Sequence, residues 1–237
     1  GFILIVYSTF LTRSGVLGDT SVHAFTEMGL ESQLLFFISF FVGMGLLALI
    51  LGWRSVPVPA KEEATSSKEF WMFIGSLTLM MSAVLITGAT SLPVFNEIAL
   101  MFDPAWDSLA LEDPEAHHNR FQIWIAIFIG LISGFCQFLR WRQPEGTFKW
   151  QPFLIHSGIA LGGALAMTFL TLTWIEARTT PYKLMVFAGW YTVVSNLDYI
   201  FTFVTKDLKV AGSAIAHFGF GIMLIGIMAS GPNQRVI

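Results

Sequence analysis

His217 stands in a run, residues 210–234, that contains no Asp, Glu, Lys or Arg. A run that long and that apolar reads as a membrane-spanning helix. An imidazole inside such a helix is costly without a partner, so it marks a candidate functional site. Neutral imidazole is the commonest protein ligand for a metal ion, and it also serves as an axial ligand of haem iron. The alternative is a histidine bonded to a neighbouring helix or to water. A second histidine, His23, lies in Ser21-Val-His-Ala-Phe, within the polar segment 12–33. Gly15 and Gly18 suit a helix-to-loop break there. Val22, Phe25, Met28 and Gly29 recur at helical spacing, which predicts a short amphipathic helix on a membrane surface. His23 falls at its start, either solvated or free to ligate at the aqueous boundary.

Other side chains are weighed against these two. Asp198 lies about five residues from the end of the preceding span, and His217 lies at a similar depth, about 8 Å in. The short connection 205–211 makes the two helices expected neighbours. Asp198 is therefore a candidate acceptor for the non-ligating nitrogen of His217; the alternative is a carboxylate reaching the interface. Gly221, at i+4 from His217, shares its face and leaves room for a flat macrocycle. Gly219 and Gly226 also keep the helix slim, although small residues serve helix packing equally well. The adjacent His117 and His118 cannot share a helix face, which argues against a two-histidine metal site. His156, just after Pro152 near a helix end, reads as interfacial. Cys136 reads as a packing residue. Gly158 and Gly162 form Gly-x-x-x-Gly, a helix-packing pattern with many chance matches.

These residues need spans to position them. The chain has 237 residues, 54% hydrophobic and 12% charged, against about 25% charged in soluble domains. Its mean hydropathy is +0.67, and the apolar residues come in blocks. Spans are predicted near 33–52, 70–90, 121–139, 152–174, 183–203 and 212–230, each able to cross about 30 Å of hydrocarbon. Residues 1–11 read as the end of a truncated further span, because they open within an apolar stretch and lack a basic leader region. The fold class expected is an all-α polytopic bundle, one partial plus six full transmembrane helices over 33–237, with an outer segment 12–32. Residues 91–120 read as an acidic outer loop, with Trp106 and Phe102 at the interface or on a partner. Residues 56–68 read as a polar linker. Arg13, Arg120, Arg178, Lys183 and Arg235 fall on one side; the other eight of the thirteen Lys and Arg fall in shorter connections on the other. The second side is the expected cytoplasmic face. The net charge of −3 argues against nucleic acid as a partner. One cysteine excludes an internal disulfide and a Cys-x-x-Cys-His haem-attachment motif within the chain.

Phe10-Leu-Thr-Arg-Ser-Gly-Val-Leu followed by Ser21-Val-His-Ala-Phe resembles the haem-lyase subunit CcmF of bacterial (System I) cytochrome c maturation. Ala214-Ile-Ala-His-Phe-Gly-Phe-Gly-Ile resembles that family's helix bearing a transmembrane haem-ligand histidine. Asn119-Arg-Phe before a span, then Leu139-Arg-Trp-Arg, continue the likeness in order along nearly the whole chain. The resemblance implies that His217 is an axial ligand of a resident haem b. It implies that His23 is a ligand and catalytic residue for haem in transit, with Arg13 and Gly221 as further haem contacts. It also implies haem attachment to apocytochrome c thiols at the periplasmic face of the cytoplasmic (inner) membrane. The partners implied are a haem chaperone, a thiol-oxidoreductase subunit, membrane lipid and, as an electron source, quinol. The family's tryptophan-rich haem loop, Trp-Gly-x-x-Trp-x-Trp-Asp, does not occur here, nor do its other ligand histidines. The chain therefore reads as a C-terminal portion of such a protein. The alternatives are another haem-handling or haem-export protein, or a non-redox transporter or assembly scaffold whose histidines line a polar cavity.

Overall fold

A computed structural model describes residues 1–17, 29–58, 64–142, 146–175, 177–204 and 211–231. Those residues form eight α-helices and no named strand. They are α1 (Phe2–Arg13), α2 (Glu31–Gly52), α3 (Lys68–Thr90), α4 (Leu92–Phe102), α5 (Pro114–Phe135), α6 (Trp150–Leu172), α7 (Thr180–Tyr199) and α8 (Gly212–Ser230). A 3₁₀ turn, Cys136–Phe138, extends α5, and a π turn, Ile200–Val204, extends α7. Six of the helices, α2, α3 and α5 to α8, are long and apolar enough to cross a membrane. This is an all-α architecture of the polytopic membrane type.

The chain divides into two compact units, residues 1–61 with 86–112, and residues 62–85 with 113–237. In the first unit α1 packs on α2 through aromatic edges: the Phe2 ring meets Phe41 at 4.8 Å and Phe37 at 6.4 Å. No residue of α2 is buried; its Phe36, Ile50 and Leu51 are each more than 70% exposed, the surface a lipid environment accepts. Tyr7 Oη and Ser91 Oγ lie 2.6 Å apart, fixing the turn between α3 and α4 within this unit.

The expectation of a loop over 91–120 is corrected here. Ser91 and Pro93 start α4, and α5 begins at Pro114, well before the charge-free part of its span. Asp113 is the reason for the early start. Its side chain accepts from Ala116 N at 2.9 Å, and Pro114 takes the first helical position, where its missing N–H is no loss. Between the helices, Asn96 accepts from Leu109 N and Trp106 Nε1 and donates to Leu109 O, which ties Trp106 down.

In the second unit α7 is the central helix, with nine buried residues. It packs against α5, α6 and α8, and small residues make the approach close. A Cβ at Gly134 on α5 would fall 2.7 Å from Ser195 Oγ on α7. A Cβ at Gly163 on α6 would fall 2.9 Å from Val194. The small residues that pack α6 are thus Gly163, Ala160 and Ala164. The Gly158–Gly162 pair meets nothing within 4 Å, so the packing role read for it is not the one it plays within this chain. Polar bonds add to the seams: Ser82 Oγ donates to Gln122 Oε1 at 2.6 Å, and Trp190 Nε1 donates to Thr171 Oγ1 at 2.8 Å. The end of the 56–68 segment is not free linker either. Ser67 is buried, and Lys68 N donates to Arg140 O at 3.0 Å.

Candidate functional site

His217 sits in the second turn of α8 and is half-buried. Its Nδ1 lies 2.8 Å from Ser213 O, one turn back on the same helix. A carbonyl only accepts, so Nδ1 carries the proton and Nε2 keeps its lone pair. Among the described residues Nε2 has no hydrogen-bond partner. The imidazole lines a cleft of about 770 Å³ between α3, α5, α7 and α8, within the roughly 300–1,000 Å³ of cofactor-sized sites. Ile123, Ile129, Phe220, Met223, Leu224 and Ile227 make most of its walls. Its extent along α8, from Ala216 to Gly231, corresponds to about 22 Å. Glu115, Asn119 and Tyr182 edge its far end, where they also line a more open cavity of about 610 Å³.

The other face of His217 meets a polar cluster. Gln137, 3% exposed, sits in the 3₁₀ turn after α5, and its Nε2 donates to Asn196 Oδ1 at 2.7 Å. The same Nε2 lies 3.3 Å from His217 Nδ1. Lys68 Nζ donates to Gln137 Oε1 at 3.3 Å, which fixes the orientation of the amide, and stands 5.9 Å from the Tyr199 ring centroid. Asn196 in turn donates to Thr192 O. Side chains from α3, α7 and α8 thus meet at Gln137 in the turn after α5. A second cavity of about 510 Å³ lies on this side, lined by Lys68, Trp71, Cys136, Gln137, Tyr199 and His217 among others. His217 therefore borders two cavities at once, the second edged by the polar side chains of Lys68 and Gln137.

Two sequence-based assignments are corrected. Asp198 does not serve His217: its Oδ2 accepts from His156 Nδ1 at 2.6 Å, and its Oδ1 accepts from Thr202 Oγ1 at 3.2 Å. The reason is lateral. Asp198 points at α6, whereas His217 is met by Gln137 from the turn after α5. His156 is accordingly no loose interfacial side chain; it and Asp198 are 17% and 14% exposed. Gly221 shares a turn with His217, but its bare face is filled. A Cβ there would fall 2.8 Å from both Gly189 O and Val193 Cγ2 on α7. Gly221 is a helix-packing glycine and lines neither cavity. The adjacency of α7 and α8 expected from their short connection is present.

Arg13 ends α1 and is exposed. His23 and its amphipathic helix lie outside the described residues. His117 and His118 stand edge to face at the start of α5. No group of three or more metal-binding side chains occurs among the described residues.

The chain is similar to a cytochrome c-type biogenesis protein. That relative, CycK of Bradyrhizobium diazoefficiens, is 26% identical over 243 residues, which cover 96% of this chain and 35% of its own length. No protein-family profile matches the chain. No solved structure matches it either.

Sequence reasoning missed Gln137 and Lys68. Each stands at the end of a span, where a polar residue ordinarily reads as interfacial. The available signal was weak: a glutamine that still lies inside the charge-free run 121–139.

Proposed function

We propose that the protein handles haem in cytochrome c maturation, in the manner of the haem-lyase family it resembles. The observation that carries the reading is the state of His217. Its Nδ1–H is bonded to Ser213 O, and its Nε2 is left open on an apolar cleft of cofactor size. A hydrogen bond at the far nitrogen fixes the ring and raises ligand basicity, as is usual for histidines that bind metal. The donor set fits a haem b held by one imidazole from this chain. Haem b bound there supplies one-electron chemistry, used to keep the iron of the incoming haem reduced.

The chain's own residues bind and position. His217 would ligate, the Ser213 carbonyl holds its ring through Nδ1–H, Gln137 packs beside that nitrogen, and the walls of α3, α5 and α8 exclude water. His23 ligates the incoming haem at the periplasmic surface of the inner membrane while its vinyl groups meet the thiols of an apocytochrome Cys-x-x-Cys-His motif. A haem chaperone and a thiol-oxidoreductase subunit are the partners this chemistry needs, and quinol is a candidate electron source.

The test is a redox difference spectrum of the complete protein in detergent, beside its His217→Ala and His23→Ala variants. A b-type signal is expected in the parent and in His23→Ala, and its loss is expected in His217→Ala. His23→Ala should instead abolish cytochrome c assembly. A parent without bound haem would leave a transporter or scaffold as the better reading.

A further inference from the structure

The His156–Asp198 pair has no part in the haem reading, and it borders a distinct cavity. This cavity, of about 80 Å³, is lined by Phe138, Arg140, Lys149, Phe153, His156 and Phe203 among others. Asp198 accepts from Nδ1 of His156, so the imidazole presents its Nε2 to the other side. Phe138 stacks on the imidazole at 5.7 Å and Phe203 meets it at 5.0 Å, which holds the ring in place. Asp198 balances any charge on His156. Arg140 and Lys149 then leave the described lining with a net positive charge, and among the described residues no hydrogen bond or ion pair engages their side-chain cations. Lys149 is the N-cap residue of α6 and makes no side-chain cap, so the first N–H groups of that helix add to the positive end.

Depth decides the ligand class. Arg140 follows the end of the α5 span, Lys149 opens α6, and Phe203 lies in the turn that closes α7. Three span ends meet here, so the cavity lies at the level of lipid headgroups. The anion abundant at that depth is the phosphate of a phospholipid. Basic pockets between membrane helices bind anionic headgroups, and aromatic side chains suit the same layer.

We propose that the cavity between Arg140, Lys149 and His156 is a binding site for an anionic phospholipid headgroup. Its phosphate lies between Arg140 and Lys149 and, with His156 in its doubly protonated form, accepts from Nε2 while Asp198 holds Nδ1–H; Phe153 and Phe203 lie against the glycerol.

The test is native mass spectrometry of the detergent-purified protein, titrated with phosphatidylglycerol or phosphatidylcholine of equal chain length. The parent should retain phosphatidylglycerol in preference. The Arg140→Gln/Lys149→Gln double variant should bind it about thirtyfold more weakly, since each basic residue near the surface contributes about fivefold. Both substitutions are at exposed positions, and His156→Gln provides an independent variant with the same expected direction. Equal retention of the two lipids, or an undiminished preference in both variants, would overturn the site. Competition by millimolar inorganic phosphate that abolishes lipid retention would also overturn it, in favour of a soluble anion. None of these readings uses the haem signal.

Discussion

At the scale of single residues, the question at His217 is what its neighbours do to it. Gln137 joins three side chains from three helices, and it is buried, so removing it leaves more than a gap. Gln137→Leu strips the donor from Asn196 Oδ1 and the acceptor from Lys68 Nζ. An unsatisfied buried polar group costs about 1–3 kcal/mol, so the thermal unfolding midpoint in detergent should fall. The same substitution changes the surroundings of His217 Nδ1, and any b-type spectrum or midpoint potential carried by His217 should shift with it. Asp198→Asn should do neither to that spectrum, because the Asp198 carboxylate serves His156. A spectrum that moves with Asp198 and not with Gln137 would reverse this assignment. His217 was legible in the sequence because a lone imidazole in a charge-free run needs a reason. Gln137 was not, since its partners lie 59 and 80 residues away along the chain and nothing local announces them.

At the scale of elements, the same contrast runs through the glycines. Spacing alone singles out Gly158 and Gly162, yet among the described residues nothing comes within 4 Å of a Cβ placed there. The close seams are at Gly163, Gly134 and the Gly189–Gly221 crossing of α7 with α8. Whether a small residue packs depends on which face the neighbouring helix takes, and that is a tertiary fact. The paired variants therefore separate. Gly158→Ala should be neutral or stabilise by up to about 1 kcal/mol, as a helix-interior glycine exchanged for alanine in open space does. Gly189→Ala forces a new carbon to 2.8 Å from Ile225 and 3.1 Å from Gly221 O. It should destabilise by about 1–3 kcal/mol, the usual result of overpacking. Differential scanning fluorimetry in one detergent compares both. The long helices themselves were legible because charge-free blocks of span length have few other uses. The start of α5 was not: Pro114 to Arg120 is polar, and hydropathy alone assigns it to a loop, although Asp113-Pro114 carries a helix-start signal.

At the scale of the molecule, the direction in which the spans cross determines whether the proposed chemistry faces the right compartment. Lys and Arg concentrate in the connections after α2, after α5 and between α7 and α8, which makes the cytoplasm the expected side for those ends. The acidic stretch between α4 and α5 is then expected on the opposite, periplasmic side. His217 lies in the second turn of α8, toward the end expected to be cytoplasmic. The orientation is therefore a strong constraint on the haem reading, and it is simple to measure. With Cys136 replaced by Ala, a cysteine at exposed Asp107 should react with a membrane-impermeant maleimide added to intact cells. A cysteine at exposed Arg142 should react only after permeabilisation. The reverse pattern would place His23 in the cytoplasm, where apocytochrome thiols are not assembled with haem by this chemistry. It would turn the lipid site at Arg140 and Lys149 toward the outer leaflet.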